Sequence, residues 1–328
     1  HKTVRRQRQM CIRDRMYRYN TKAIFLFGPT ASGKTNISLN IAKKFPVEII
    51  SLDSAMVYKD MNIGSCKPNK RELKQAKHHL VDILLPSESF DLGTLKKHLD
   101  ISISDILKRG NIPFFVGGSM MYVYVLLNGF HDFPSDKKIK SEIEKSYETS
   151  GIKEIQELLR RLDKKTFETL DNQNPRRLIR AIEIIQITGE KLSNLKKEQK
   201  QLFFKPKKVL KLSTILEKQT LTKKIEERLD KIIESGFLKE LETVLDKYNL
   251  NQEHQSMQCI NYKQFLPYCL NGKSLEACFQ DALKATKNLG KTQINWLKKI
   301  DQDTCIKAGE SKSIETFSAT ITKYLRSN

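Results

Sequence analysis

The chain has 328 residues, with 59 Lys or Arg against 38 Asp or Glu and a formal net charge of +21. This length is sufficient for two structural units, and the basic excess indicates a polyanionic partner, with nucleic acid the leading candidate. No apolar run is long enough to span a bilayer, so we expect no membrane contact. The six cysteines lack zinc-site or disulfide-framework spacing, which suits a reducing cytoplasm.

Residues 1–15 differ from the rest of the chain. They carry six basic residues and one acid and have no apolar periodicity, and their removal leaves a net charge of +16. Met16 stands directly before the first apolar run. We therefore expect residues 1–15 to be a non-native or disordered leader that arose in sequence assembly, with an arginine-rich presequence as the alternative.

An apolar run at residues 23–27 leads into a complete phosphate-binding loop, and a helical pattern at 35–44 follows it. This strand–loop–helix context indicates phosphate or diphosphate binding, since glycines let backbone N–H groups converge on phosphate oxygens. The lysine supplies a point charge, and the final threonine hydroxyl suits Mg²⁺. The loop consists of Gly28, Pro29, Thr30, Ala31, Ser32, Gly33, Lys34 and Thr35.

Further short apolar strands are predicted at residues 47–51, 80–84 and 113–117, with helices at about 69–77 and 91–109. This alternation predicts an α/β fold, a P-loop NTPase-like parallel sheet flanked by helices. The pattern of residues 141–201 is almost entirely helical and rich in charged residues, and we interpret residues 130–204 as an inserted helical domain. A strand at 209–213 returns the chain to the core, and helices at 218–235 and 275–299 follow. The expected core therefore comprises residues 20–129 and 205–328.

Polar residues follow two of these strands. Asp53 comes just after the second strand, where it faces the phosphate loop across the carboxyl edge of the sheet. Its carboxylate suits either a magnesium ligand or a general base, and the alternative is an N-cap of a following helix. Ser119, after Gly117 and Gly118, suits phosphate binding, although helix capping alone explains it.

A basic helix start stands in the helical segment at Asn174-Pro175-Arg176-Arg177-Leu178-Ile179-Arg180. Arg177 and Arg180 are three residues apart and share a helix face, while Leu178 faces elsewhere. Guanidinium groups suit phosphates and base edges, and the alternative is a solvated basic face.

Together these runs resemble the tRNA dimethylallyltransferase (tRNA isopentenyltransferase) family. ATP-hydrolysing families share only the first run. The matching runs, in family order from about residue 22 to 300, are Gly28–Thr35, Asp53–Gly64 with Lys67-Pro68, Val116–Tyr122, Asn174–Glu183, Ser235–Phe237, Gln258–Lys263, and Ala285–Lys287 with Gln293, Trp296 and Leu297.

The resemblance implies transfer of a dimethylallyl group from dimethylallyl diphosphate to the exocyclic amine of the adenosine immediately 3′ of the tRNA anticodon, by a cytoplasmic monomer. Asp53 is the implied general base, Lys34 and Ser119 are further catalytic residues, the whole loop binds diphosphate, and Thr35 binds Mg²⁺. The implied tRNA contacts are Asp53, Ser54, Ala55, Met56, Ser119, Lys140, Arg176, Arg177, Leu178, Ile179, Arg180, Gln258, Cys259, Ile260, Asn261, Tyr262 and Lys263.

Three positions depart from the family pattern. Ser119 replaces a usual threonine and keeps the hydroxyl, Gln258 replaces a common Arg or Ala, and Asn261 replaces a near-invariant glycine. Other functions stay open at this point: a P-loop small-molecule kinase or nucleotide hydrolase, a basic RNA-binding protein without activity, and a prenyltransferase that acts on free adenine nucleotides. The sequence contains no guanine-specifying Asn-Lys-x-Asp run, which disfavours one class of nucleotide hydrolase.

Overall fold

The computed structural model describes residues 17–197, 200–308 and 313–327. The predicted leader at residues 1–15 and the start at Met16 lie outside these ranges. The chain divides into two compact units, one built mainly from Asn128–Phe203 and the other from Tyr19–Leu127 and Phe204–Asn328. We refer to them as the helical unit and the sheet unit.

The sheet unit contains a six-stranded sheet in which all neighbouring strands are parallel. The six strands are β2 (Ala23–Phe27), β3 (Val47–Leu52), β4 (His78–His79), β5 (Ile112–Gly117), β7 (Val209–Ile215) and β8 (Thr304–Lys307). They lie in the order β4-β3-β5-β2-β7-β8. Strand β2 is fully buried near the middle of the sheet, which explains why it is a continuous apolar run rather than an alternating one. A separate pair, β1 (Tyr17–Tyr19) and β6 (Leu202–Phe204), forms a two-stranded sheet.

The helices at Lys34–Lys44 and Ser313–Arg326 pack apolar side chains against this sheet. The predicted helices at 69–77, 91–109, 218–235 and 275–299 are confirmed: two of them start at the predicted residue, and every other end lies one or two residues inside the predicted one. The helices are α1 (Lys34–Lys44), α2 (Lys70–Gln75), α3 (Leu92–Lys108), α4 (Met120–Asn128), α9 (Lys218–Glu234), α10 (Phe237–Tyr248), α11 (Tyr262–Asn271), α12 (Leu275–Leu297) and α13 (Ser313–Arg326).

The strand predicted at residues 80–84 is wrong in position. The sheet takes its edge strand from His78–His79 instead, and Leu80 and Asp82 have positive φ values of 61° and 56° that end the extended chain. Leu80 and Leu84 are nevertheless buried, and the only pairing in this stretch is an isolated bridge between Leu84 and Tyr58, so the apolar pattern mainly reflects packing. Strands β1, β6 and β8 were not predicted.

The helical unit folds around its own core of aliphatic side chains. Asn174 caps the helix Pro175–Thr188 by accepting the Arg177 N–H, and Pro175 occupies the first helical position. The helix start predicted at this run is confirmed. The backbone at Gly151 departs from helical geometry and divides the longest helix. Its helices are α5 (Lys137–Leu162), α6 (Lys164–Thr169), α7 (Pro175–Thr188) and α8 (Leu192–Leu195).

None of the helices in the described ranges is long and apolar enough to cross a membrane.

Candidate active site

The phosphate loop connects β2 to α1 at the carboxyl edge of the sheet. Ala31 and Gly33 have φ values of 59° and 75°, which turn the chain sharply before α1 begins at Lys34. The first N–H groups of a helix lack intrahelical partners, so the start of α1 adds partial positive charge to the loop. The geometry is that of an anion-binding loop.

The loop lies directly on the neighbouring strand β7. A Cβ on Gly28 would lie 2.4 Å from Thr214 Oγ1 and 2.5 Å from the Thr214 carbonyl oxygen, so this position accepts only glycine without backbone movement. The hydroxyls of Ser32 and Thr214 are hydrogen bonded at 2.7 Å. These contacts fix the loop to the sheet.

Lys34 directs its ammonium group back into the loop. Its Nζ donates to the carbonyl oxygens of Gly28 at 3.0 Å and Pro29 at 2.6 Å. Burial, helped by the positive charge of Arg228 and opposed by Asp53, lowers the pKa of Lys34 to about 7. A bound anion would favour the charged form of this lysine.

Arg228 is a second cation at the loop, and the sequence analysis missed it. This half-buried residue lies on α9, and its Nη1 donates to Thr30 Oγ1 at 3.2 Å. It is the single arginine of a helix that carries four lysines. That contrast is a weak signal, because nothing in the sequence relates α9 to a loop 198 residues earlier.

Asp53 lies at the carboxyl end of β3, as predicted, and is half-buried. Its Oδ1 accepts the Ala55 N–H at 2.9 Å. Burial raises the pKa of Asp53, although backbone hydrogen bonds from Ala55 and Met56 and the charges of Lys34 and Arg228 oppose the rise. Residues 54–57 form turns rather than a helix, so the alternative of a helix N-cap is wrong.

Ser119 connects β5 to the turn that carries Asp53. Its N–H donates to the Leu52 carbonyl at 3.1 Å, and its Oγ accepts the Ser54 N–H at 3.3 Å. The hydroxyl therefore contacts the turn that carries Asp53, whereas the Ser119 carbonyl accepts the Tyr122 and Val123 N–H groups at the start of α4. Because Ser54 directly follows Asp53, the hydroxyl contact holds the turn beside the loop.

Gln293 on α12 lies between the phosphate loop and the β5 turn. Its Oε1 accepts the Thr30 N–H at 2.8 Å, and its Nε2 donates to the Gly118 carbonyl at 2.9 Å. In the sequence, Gln293 belongs to the runs that match the family but has no predicted role. These two contacts of its buried amide identify Gln293 as part of the candidate site.

The segment from Gln258 to Lys263 approaches the Asp53 turn from the other side. Cys259 Sγ lies 4.0 Å from the Ser54 carbonyl, and burial together with the charge of Asp53 raises the pKa of Cys259 to about 12. Lys263 is exposed, whereas Asn261 and Tyr262 are buried. The prediction that the last two side chains contact tRNA is therefore corrected: they support the backbone of this segment.

The Asn261 backbone adopts φ 73° and ψ −58°, in the left-handed half of conformational space that favours glycine. Asn261, which replaces the family glycine, therefore still has a backbone conformation that glycine adopts readily. Asn261 Nδ2 donates to the Gly64 carbonyl at 2.7 Å, which ties α11 to the segment after the Asp53 turn.

Glu240 of α10 fixes that same segment, and it was also missed. Its carboxylate accepts backbone N–H groups of residues 62, 63 and 64 at 2.9, 2.7 and 3.1 Å, together with the Tyr262 hydroxyl at 2.7 Å. A single acid thus joins three pieces of chain that lie next to the candidate site.

The basic helix start in the helical unit is only partly available to a partner. Arg176 and Arg177 are exposed, and Arg177 also pairs with Asp171 at 3.1 Å. Arg180 donates to Glu183 at 2.6 Å and to the Pro134 carbonyl at 2.8 Å. Its guanidinium therefore has a structural role in this unit.

Two other predicted tRNA contacts of this helix are corrected. Leu178 and Ile179 are buried in the core of the helical unit, so their side chains are not available to RNA. Lys140 is exposed on α5 and lies 3.6 Å from Glu144. Arg176, Arg177, Arg180 and Lys140 remain as predicted contacts from this unit.

A family sequence model and several solved structures match this chain. The sequence model of the family described as IPP transferase matches residues 56–300, which is more than half of the chain. Two solved structures of tRNA isopentenylpyrophosphate transferases are each similar over 93% of this chain. The Bacillus halodurans protein is 29% identical, is covered over 97% of its own chain and has a TM-score of 0.68. The Staphylococcus epidermidis protein is 30% identical, is covered over 99% of its own chain and has a TM-score of 0.65.

A eukaryotic dimethylallyltransferase that acts on tRNA is similar over 92% of this chain and 78% of its own, with 27% identity and a TM-score of 0.79. The mixed α/β architecture and parallel sheet agree with the predicted P-loop NTPase-like fold. From the match to most of its sequence, we conclude that the chain belongs to the IPP transferase family.

Proposed function

We propose that the chain transfers a dimethylallyl group from dimethylallyl diphosphate to the exocyclic amine of the adenosine immediately 3′ of the tRNA anticodon, with release of diphosphate. Family membership supports prenyl transfer, and the names of the similar structures support tRNA as the acceptor. The observation that carries the proposal is the arrangement of Asp53 at the carboxyl end of β3, within electrostatic reach of Lys34 in the phosphate loop and of Arg228, which donates to Thr30 Oγ1 of that loop.

The loop supplies what the leaving group needs. As the bond between the allylic carbon and the diphosphate oxygen breaks, negative charge develops on the diphosphate. Lys34, Arg228 and the N–H groups at the start of α1 are placed to stabilise that charge. An allylic cation is stabilised by delocalisation, so stabilising the leaving group is the main requirement of this half of the reaction.

Asp53 supplies what the nucleophile needs. The adenine amine is a weak nucleophile because its lone pair is delocalised into the ring. As the nitrogen–carbon bond forms, the amine proton passes to the Asp53 carboxylate, and a general base of this kind contributes roughly 10²–10⁴-fold. The raised pKa of Asp53 makes it a stronger base than an ordinary carboxylate once it is ionised.

Magnesium is the proposed cofactor. Thr35 is exposed near the start of α1 and offers a hydroxyl oxygen, and oxygen donors are those that Mg²⁺ prefers. The residues present therefore fit a cation held jointly by Thr35 and the diphosphate. Bound there, Mg²⁺ would neutralise part of the charge of the diphosphate.

Exposed basic and polar side chains are the proposed tRNA contacts. They include Ser54 at the Asp53 turn and Lys263 in the sheet unit, with Arg176, Arg177 and Lys140 in the helical unit. The target base must leave its stack to reach Asp53, which costs a few kcal/mol that backbone contacts have to offset. The net charge of +21 suits that requirement.

We further propose that the protein works in the cytoplasm as a monomer. The described cysteines are free, which suits a reducing compartment. A single chain supplies the phosphate loop, Asp53 and the exposed basic residues.

The test is incubation of the protein with dimethylallyl diphosphate, Mg²⁺ and bulk tRNA, followed by mass analysis of nucleosides and of mapped fragments. We expect prenylated adenosine next to the anticodon. Isopentenyl diphosphate is the matched control donor, because its leaving group departs without allylic stabilisation, and it should give no product. RNA-stimulated ATP hydrolysis without prenylated product would favour the nucleotide hydrolase, and prenylated AMP would favour the free-nucleotide enzyme.

A further inference from the structure

The amide of Gln293 is a buried group whose two polar atoms both serve the candidate site. The side chain is 4% exposed, accepts the Thr30 N–H at 2.8 Å and donates to the Gly118 carbonyl at 2.9 Å. Burial of an amide is unfavourable unless both of its ends are hydrogen bonded, and here they are. The fit is close, since a Cβ on Gly118 would lie 2.6 Å from Gln293 Nε2.

These two bonds connect the loop that binds the leaving group to the turn that carries the base. Gly118 is followed by Ser119, whose Oγ accepts the Ser54 N–H, and Ser54 is followed by Asp53. A hydrogen-bonded path therefore runs from Thr30 through Gln293, Gly118 and Ser119 to the Asp53 turn. Every member of this path belongs to the sheet unit.

We propose that Gln293 is a positioning residue that keeps the phosphate loop and Asp53 at the separation that transfer requires. The inference rests on the proposed function, in which the allylic carbon lies between a departing diphosphate and an amine that Asp53 deprotonates. Both partners must be held at once, and a misplacement of about 1 Å can reduce the rate by about 10²-fold.

Two variants separate the two bonds of Gln293. Gln293→Met keeps the length of the side chain and removes both hydrogen bonds. Gln293→Glu keeps an acceptor for the Thr30 N–H but loses the donor to Gly118. Gln302→Met is the matched control, because Gln302 also uses its amide within the sheet unit, with Ser213 Oγ as donor and the Leu297 carbonyl as acceptor at 2.8 Å.

With both substrates saturating, we expect Gln293→Met to lower kcat by about 10–100-fold while the KM for tRNA stays within about twofold. Gln293→Glu should also be slow, because the bond to the β5 turn is lost. Gln302→Met should retain wild-type kcat. Circular dichroism at the assay temperature verifies that each variant is folded. If Gln293→Met does not fold, the kcat of Gln293→Glu provides the test.

A double-mutant cycle with Ser119→Ala distinguishes positioning from a general loss of stability. If Gln293 acts through Gly118 and Ser119, the two substitutions disrupt the same path. The fold-reduction in kcat of the double variant should then be at least about fivefold smaller than the product of the two single fold-reductions. In the control cycle, the fold-reduction in kcat of the double variant Gln302→Met with Ser119→Ala should equal the product of the two single fold-reductions.

Wild-type kcat in folded Gln293→Met, or a multiplicative cycle with Ser119→Ala, would overturn the inference and leave the proposed function intact. A wild-type protein that makes no prenylated tRNA would instead contradict the proposed function.

Discussion

The pKa values of Lys34 and Asp53 are shifted toward each other, and burial is the main cause of both shifts. It lowers the pKa of Lys34 to about 7 and raises that of Asp53. The charge of Arg228 lowers both values. Perturbed pairs of this kind are typical of catalytic sites.

Replacement of Asp53 by Asn removes the base and retains an oxygen that can accept the Ala55 N–H. We expect kcat to fall by roughly 10²–10⁴-fold with tRNA affinity nearly unchanged. In the wild type, kcat should rise with pH through the raised pKa of Asp53, because only the carboxylate accepts a proton, and this limb should be absent from Asp53→Asn. A variant with reduced tRNA affinity and normal kcat would identify Asp53 as a binding residue.

Anion binding should load a proton onto Lys34. With a pKa of about 7 the free lysine is mostly neutral at pH 8, and a bound diphosphate raises that pKa, so binding of inorganic pyrophosphate should take up close to one proton. Below pH 6 the lysine is already charged and the uptake should vanish. Calorimetry in buffers of different ionisation enthalpy measures this number.

Lys34→Arg is the control for that experiment, because arginine stays charged at every pH used and cannot take up the proton. Protons exchanged by pyrophosphate itself appear in both proteins, so the difference between them isolates Lys34. Equal uptake in wild type and Lys34→Arg would mean that this lysine is charged before the anion binds.

At the scale of elements, local pattern was sufficient for the strands around the phosphate loop and for the long helices. It failed at residues 80–84, where buried Leu80 and Leu84 imitate a strand while the backbone turns at Leu80 and Asp82. Asp82 pairs with Lys67 at 2.5 Å, a contact across 15 residues that no local pattern specifies. Short edge strands such as β8 were missed for the same reason, because sheet pairing and not local sequence defines them.

The start of α11 depends on Asn261 in a glycine-like conformation. Asn261→Ala loses the bond to the Gly64 carbonyl and keeps the backbone strain, so we expect it to lower the free energy of unfolding by about 1–3 kcal/mol. Asn261→Gly loses the same bond but relieves the strain, and should be more stable than Asn261→Ala by about 1 kcal/mol. Urea unfolding measures both, and equal stabilities would mean that the Asn261 backbone carries no strain.

At the scale of the whole molecule, the residues that escaped prediction are those that distant elements bring to the site. Arg228 reaches Thr30 across 198 positions, and Gln293 reaches it across 263. Asp53 was predictable because it follows a recognisable strand, and Lys34 because it belongs to a complete phosphate-loop motif. The resemblance to a family added the tRNA contacts, and burial then removed the side chains of Leu178, Ile179, Asn261 and Tyr262 from that set.

The exposed arginines at the start of α7 give the last prediction. A side chain that neutralises one RNA phosphate releases counterions, so its loss should weaken binding and reduce the slope of log K against log salt by about one. We expect Arg176→Ala with Arg177→Ala to reduce the slope by about two when an anticodon stem-loop is titrated at several salt concentrations. Pyrophosphate affinity should be unchanged, because the phosphate loop belongs to the sheet unit.

Lys164→Ala with Lys165→Ala is the matched control for this pair, since both lysines are exposed on the same unit and the loss of charge is equal. If the two double variants reduce affinity and slope alike, the effect is one of net charge and the α7 start is merely a solvated basic surface. A larger loss at Arg176 and Arg177 places RNA phosphates at that helix start, where two adjacent guanidinium groups offer planar donors that a lysine cannot match.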